Sequence, residues 1–248
     1  MAEILLKDGE RINQLFSTDV KIIQNREVFS YSVDSVLLSR FPNLPKRGLI
    51  VDLCAGNGAV GLFASTRTKA QIIAVEIQER LADMAQRSIE LNGLTHQMQV
   101  IQDDLKYLTR YISGSKVDMI LCNPPYFKVD EHSNLNASRH YLLARHEIAT
   151  NLEEICQISQ RVLKSNGRLT MVHRPERFLD IIETMTAHNL APKRIQFVYP
   201  KANRKANMLL IEAIKDGSRD GLKILPPLFI HNQDGSYTPE IHEMYYGK

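Results

Sequence analysis

Four short apolar runs, Leu49 to Cys54, Ile72 to Val75, Met98 to Gln102 and Met119 to Cys122, recur with helical stretches between them. This alternation constrains the fold more than any other feature of the chain. Runs of this length, lacking a polar residue at every second position, suit strands covered on both faces, as in a parallel sheet. The segments between them have helical character: Val60 to Ser65, then Gln78 to Asn92 with Leu81, Met84, Ala85 and Ile89 on one side and Asn92-Gly93 as its stop, then Leu105 to Ile112. Strand and helix in strict alternation predict an α/β fold, a parallel sheet with helices on both faces and right-handed crossovers.

Further elements flank this core. Val20 to Gln24 reads as a short strand, and the stretch from Phe29 as a helix capped by Ser32 or Asp34 with Val36, Leu37, Leu38 and Phe41 on its apolar side. Pro42 to Gly48 breaks the chain. Beyond the fourth run, Asn151 to Leu163 is an amphipathic helix stopped by Ser165-Asn166-Gly167, Arg168 to His173 a strand and Arg177 to His188 a helix. Arg194 to Tyr199 and Asn207 to Lys215, joined by the basic loop Pro200 to Ala206, form an antiparallel pair at one edge of what is then a mostly parallel, seven-stranded sheet. From Asp216 the density of Gly, Pro and Asn predicts an extended tail, with a hairpin around Asn232 to Gly235. Three parts follow: an N-terminal extension over 1–48, the main domain over 49–215, and a tail over 216–248 packing on that domain.

Composition excludes several classes. No apolar run approaches the roughly 20 residues that span a bilayer, and the first residues lack a signal-peptide pattern, so a cytoplasmic protein with no membrane partner is expected. Cys54, Cys122 and Cys156 stand in neither Cys-x-x-Cys nor Cys/His spacing, so no metal site is expected. His132, His140, His146 and His173 read as surface or structural residues. A net charge of +3 permits a nucleic-acid partner without requiring one.

The first run ends in Ala55-Gly56-Asn57-Gly58-Ala59-Val60-Gly61, and Glu76 closes the second run twenty positions after Gly56. Glycines after a strand let backbone approach a ligand, and an acid at that distance can accept ribose hydroxyls. The glycine pattern also fits a nicotinamide dehydrogenase. Asp52 argues against one, because a carboxylate inside the strand would repel a pyrophosphate while suiting a cofactor that carries positive charge.

The fourth run is stopped by Asn123-Pro124-Pro125-Tyr126-Phe127. Two prolines cannot extend a ladder and hold a stiff turn, so the Asn123 amide oxygen and the Pro124 carbonyl stand side by side with Tyr126 just beyond. Two acceptors and an aromatic ring are what a planar exocyclic amine needs. The polar stretch Lys128 to Ser138 follows, and we read it as a mobile flap over the site.

Val51 to Gly58, Glu76, Asp103-Asp104-Leu105 and Asn123 to Phe127 resemble, in order and spacing, the class I S-adenosylmethionine-dependent methyltransferases that modify exocyclic or amide nitrogens. The resemblance spans about Phe29 to Lys215. Phe29 to Leu38, Phe127, Ala144-Arg145-His146-Glu147 and the tail from Pro227 to Thr238 look more narrowly like the bacterial tRNA1(Val) adenine-N6 methyltransferases, which act on the purine beside the anticodon. The resemblance implies a class I methyltransferase fold, S-adenosylmethionine as cofactor and tRNA as partner. It assigns Gly56 and Gly58 to close approach to the cofactor, Asp52 and Asp34 to its methionine end, Glu76 to the ribose, and the pair Asp103 and Asp104 to the adenine amino group, with Asp104 favoured. It assigns Asn123, Pro124 and Tyr126 to the chemistry and Phe127 to stacking on the substrate base, while Arg145, Lys201 and Arg204, on loops next to strand ends, are expected to contact substrate phosphates. Enzymes acting on guanine N2 of rRNA, adenine N6 of DNA or a release-factor glutamine share the Asn-Pro-Pro logic, and a non-catalytic cofactor-binding adaptor is a further alternative.

Overall fold

A computed structural model describes residues 5–27, 31–124 and 152–247. Tyr126, Phe127, the stretch from Lys128 to Ser138, Arg145, His132, His140 and His146 lie outside the described residues. The chain opens with two antiparallel strands, β1 (Glu10–Leu15) and β2 (Val20–Asn25). Helix α1 (Val33–Arg40) precedes β3 (Leu49–Leu53), and α2 (Ala59–Ser65), β4 (Gln71–Glu76), α3 (Glu79–Leu91) and β5 (Met98–Gln102) follow in alternation. A 3-10 turn over Leu105–Arg110 leads to β6 (Val117–Cys122). Then come α4 (Leu152–Val162), β7 (Leu163–His173), α5 (Phe178–Ala187), β8 (Leu190–Tyr199) and β9 (Met208–Lys215). The tail adds β10 (Lys223–Ile224), β11 (Leu228–Phe229) and α6 (Pro239–Tyr246).

The main sheet has nine strands in the order β10-β8-β9-β7-β6-β3-β4-β5, with β11 also on β8. Strands β7, β6, β3, β4 and β5 run parallel, as the alternation predicts. Strand β9 is antiparallel to both neighbours and sits between β7 and β8, so the antiparallel strand is internal and not at an edge. The two-residue strands β10 and β11 raise the count above seven by pairing with the outer side of β8. Val51, Leu53, Ile120 and Met171 are buried on one face with the apolar sides of α4 and α5, and Ile50, Ile72, Met119 and Val172 on the other with α1 and α2. Both faces of the central strands are therefore dry, which explains their unbroken apolar sequences.

The first and last segments close over the second layer. Ile241 of α6 is fully buried in the same cluster as Leu37 and Leu38 of α1. Arg87 of α3 reaches Glu10 at 2.6 Å and Asp83 at 2.7 Å, clamping the β1–β2 pair to α3. Among the described residues, no helix is long and apolar enough to cross a membrane.

Candidate functional site

Parallel register puts Met171, Cys122, Leu53, Val75 and Ile101 in one row across five strands. The residues just past that row therefore share one edge of the sheet. They are Asn123 after β6, the turn from Cys54 after β3, Glu76 at the end of β4 and Asp103 after β5. Neighbouring strands lie roughly 4.8 Å apart, so Asn123 starts beside the turn that carries Gly56 and Gly58. Asn123 is half-buried and Pro124 buried.

The turn after β3 is tightly wound. Cys54, Gly56 and Gly58 all have positive φ, at 58°, 57° and 81°. Only glycine takes this conformation without cost, so Cys54 marks local strain at the head of the turn. A Cβ on Gly58 would stand 3.1 Å from Cβ of Ala85 on α3, so the turn and that helix touch backbone to side chain. The Gly58 N–H donates to the Ala55 carbonyl at 2.9 Å, closing the loop.

Two buried acids hold this turn from below. Glu76 accepts the Gly56 N–H at 2.7 Å through Oε2 and the Gln78 N–H at 2.9 Å through Oε1. Burial raises its pKa above the usual carboxylate value, and the backbone donors oppose that rise. Asp52 accepts the Gly61 N–H at 2.8 Å through Oδ2, while its Oδ1 is buried without a partner. Burial pushes its pKa to about 7, and the nearby charge of Glu76 adds to the rise. Asp52 is poised between charged and neutral near physiological pH.

Asn57 also belongs to the site, although only its flanking glycines stand out in the sequence. Its side chain is wholly buried and its Nδ2 donates to the Ile23 carbonyl of β2 at 3.0 Å, which leaves Oδ1 buried and unpartnered. Ile23 in turn donates its N–H to Ser88 Oγ of α3 at 3.0 Å. The β1–β2 pair thus buttresses the glycine turn. Nothing in local sequence could have revealed this, because the partners lie 34 and 65 positions apart.

The remaining candidates divide. Asp103 accepts the Tyr111 hydroxyl at 2.8 Å, at the end of β5. Asp104 accepts the Lys106 N–H at 3.0 Å and pairs with its Nζ at 2.6 Å, serving as the cap of the 3-10 turn. Asp34 lies in the first turn of α1, near the Tyr245 phenol, whose pKa is raised mainly by burial and to a smaller extent by neighbouring groups that include Asp34. Lys201 and Arg204 sit on the loop after β8, which ends at the same edge as β6 because β8 runs parallel to β7. Two strands intervene, so this loop stands roughly 14 Å from Asn123 at 4.8 Å per strand. His173 is buried and its Nδ1 accepts the Arg174 N–H at 2.8 Å. Among the described residues, no cluster of His, Cys, Asp or Glu could hold a metal ion.

A glycine-turned, acid-backed strand end beside Asn123-Pro124 on a mostly parallel sheet defines a Rossmann-like methyltransferase. The chain belongs to the methyltransferase small domain family, whose model matches residues 19–188. It is 25% identical over 214 residues to a tRNA1(Val) (adenine(37)-N6)-methyltransferase from Shewanella sp. (strain MR-7), covering 86% of this chain and 89% of that one. Among solved structures, a predicted O-methyltransferase from Agrobacterium tumefaciens superposes with TM-score 0.68 at 24% identity, covering 86% of this chain and 96% of that one. Geranyl diphosphate C-methyltransferase from Streptomyces coelicolor A3(2), in complex with Mg2+, geranyl diphosphate and S-adenosyl-L-homocysteine, matches with TM-score 0.52 at 12% identity over 74% of this chain and 77% of that one. The two solved structures bear on the fold alone.

Proposed function

We propose that this chain transfers a methyl group from S-adenosylmethionine to the exocyclic N6 of an adenine in tRNA, next to the anticodon. The observation that carries the proposal is the register of β6 on β3. It sets Asn123 and Pro124 beside the glycine turn, so a methyl donor and an amine acceptor can meet.

The site fits the cofactor. Two buried oxygens, Asp52 Oδ1 and Asn57 Oδ1, lack partners, and the cradle at Gly58 admits no side chain. S-adenosylmethionine supplies an electrophilic methyl group on a sulfonium. Asp52 would face its positive charge, and the outer lone pairs of Glu76 would accept ribose hydroxyls while the inner ones keep the Gly56 and Gln78 N–H groups. The pair Asp103 and Asp104 would accept the adenine amino group, Asp103 while it also holds the Tyr111 hydroxyl and Asp104 while it also holds Lys106.

An adenine N6 is a poor nucleophile because its lone pair is delocalised into the ring. The Asn123 amide oxygen and the Pro124 carbonyl accept its two hydrogens, draw the lone pair onto nitrogen and aim it. Tyr126 and Phe127 stack on the extruded base. The surplus N6 proton, held toward the Asn123 and Pro124 oxygens, would pass to water as the methyl group of the bound cofactor arrives and the sulfur keeps its electron pair as the neutral thioether. Lys201, Arg204 and Arg145 contact phosphates, and the name of the Shewanella relative supports tRNA as substrate.

Incubation with methyl-labelled cofactor and, separately, bulk tRNA, DNA or release factor tests the proposal. Label recovered as N6-methyladenosine after digestion of the tRNA is the expected result. Label confined to DNA or protein overturns the substrate.

A further inference from the structure

At the opposite edge of the sheet, where β3, β4 and β5 begin, lies a cleft of about 820 Å³. Its lining includes Lys46 and Arg47 ahead of β3, Arg67 and Lys69 ahead of β4, and His96 ahead of β5, with no carboxylate among the lining residues. Among the described residues, no acidic side chain pairs with Lys46, Arg47, Arg67 or Lys69. The nearby acid Asp118 is already neutralised by Lys164 at 2.7 Å. Arg67 is held in place, its guanidinium donating to the Ser39 carbonyl at 2.5 Å and to that of Pro42 at 3.5 Å. Three further donors on that guanidinium remain for a ligand.

We infer that this cleft holds the sugar-phosphate backbone of an RNA, in the part of the substrate away from the base being modified. The identity of the occupant rests on the RNA reading above, while its chemistry rests on the cleft. Four uncompensated cations in a concavity focus a positive field, which selects a polyanion. The volume is several times what one phosphate fills, which selects a chain over an ion. No Phe, Tyr or Trp is among the lining residues, so the stacking surface is limited to His96 and the guanidinium faces and recognition falls mainly on the backbone. Five residue steps separate Gln71 in the cleft from Glu76 at the methyl-transfer edge, roughly 17 Å at 3.3 Å per residue. A folded RNA spans that distance, whereas a short loop bound at Asn123 does not.

The test is the double charge reversal Lys46→Glu/Lys69→Glu, at two exposed positions. Fluorescence anisotropy over a salt series would measure the affinity for a full-length tRNA transcript and for an isolated anticodon stem-loop, and calorimetry the affinity for cofactor. The expected result is a rise in Kd for full-length tRNA of about tenfold or more and a salt slope smaller by about 2. Cofactor affinity stays as in the wild type, the stem-loop loses less affinity than full-length tRNA because fewer of its phosphates reach the cleft, and Lys46→Arg/Lys69→Arg retains tRNA binding. Wild-type tRNA affinity and slope in the charge-reversed variant overturn the inference while leaving the proposed activity intact. Should the wild type neither bind nor methylate tRNA, polyuridylate separates the two readings. Its binding by the wild type and loss in the variant keep the cleft as an RNA site, although the substrate assignment fails. Failure to bind polyuridylate, with one-to-one binding of sodium tripolyphosphate instead, overturns the inference.

Discussion

At the carboxyl ends of β3, β4 and β5 stand Asp52, Glu76, Asp103 and Asp104, and at the amino ends of the same strands stand Lys46, Arg47, Arg67 and Lys69. The two edges differ in construction as much as in sign. Asp52 and Glu76 are buried and tied to backbone N–H groups within a turn, so small displacements there change what fits. Lys46, Arg47 and Lys69 are exposed, and no acid among the described residues pairs with their heads. A buried charge acts strongly at short range, whereas an exposed one acts weakly, at a distance and under salt screening. One edge is built for a small cationic molecule in a single pose, the other for a large anion in many.

The comparison breaks first at Gly58. Valine there would have to adopt φ of 81° and push a side chain against Ala85, so Gly58→Val should abolish measurable cofactor binding by calorimetry. tRNA affinity through the basic edge should survive. Next in size is Asn123→Ala. Turnover should fall by about 100-fold or more, since one of two aimed acceptors is lost, while cofactor affinity changes little. Single-turnover kinetics with saturating cofactor make the check; wild-type turnover would remove Asn123 from the chemistry.

Why the carboxyl edge is so legible in the sequence follows from its physics. Strands buried on both faces are apolar along most of their length, β3 gives way to a glycine turn and β6 to Pro124, which cannot donate to a ladder, so both the sheet and its functional rim are written locally. Elements stabilised from afar are less visible. Strand β1, with Glu10, Arg11, Asn13 and Gln14 among its six residues, has no strand-like alternation and owes its place to β2 and to Arg87, 77 positions on from Glu10. Helix α6 carried a readable start in Thr238-Pro239, but the surrounding Gly, Pro and Asn favour an extended reading, and its burial against α1 decides otherwise. Asp103 and Asp104 show a different limit. A cap and a ligand both call for a carboxylate at a strand end, and the sequence does not show that Tyr111 donates to Asp103 and Lys106 to Asp104. The basic cleft gathers residues from three separate loops, none of them a charge run by itself.

The acidic edge also predicts a pH dependence that the basic edge lacks. Asp52 has a pKa of about 7 in the free protein, and a cation bound nearby lowers it, so binding releases a proton. Cofactor affinity should therefore weaken as pH falls below about 7, by up to tenfold per pH unit. Asp52→Asn should flatten that part of the profile, with any remaining slope owed to Glu76. The same shift has a stability sign. A folded-state pKa above the unfolded value of 3.8 gives stabilisation that is full below pH 3.8 and is lost as pH rises through about 7. At pH 8 the Asn variant, which keeps an acceptor for the Gly61 N–H, should melt no lower than the wild type. A lower melting temperature and an unchanged affinity profile would show that Asp52 is ionised in the free protein and remote from the cofactor.

The smallest expected effects come from the clamp that joins the β1–β2 pair to α3, and they ask whether the two edges are independent. The Glu10 carboxylate is held by Arg87 and by the Lys7 N–H at 2.8 Å, so Arg87→Met leaves a partly covered acid without its cationic partner. A loss of roughly 1–2 kcal/mol in unfolding free energy is expected, because solvent screens part of the charge left behind. Because Asn57 is bonded to Ile23 of β2, the loosened pair should also raise cofactor Kd a few-fold. Lys7→Ala removes only an exposed contact to Asp83, with 61% of the lysine side chain in solvent, and should cost about 0.5 kcal/mol or less. Neither change should move the salt slope of tRNA binding, since the clamp lies away from the basic cleft. A slope that followed Arg87→Met would mean that the β1–β2 pair also contacts RNA, and the division of labour between the edges would have to be redrawn.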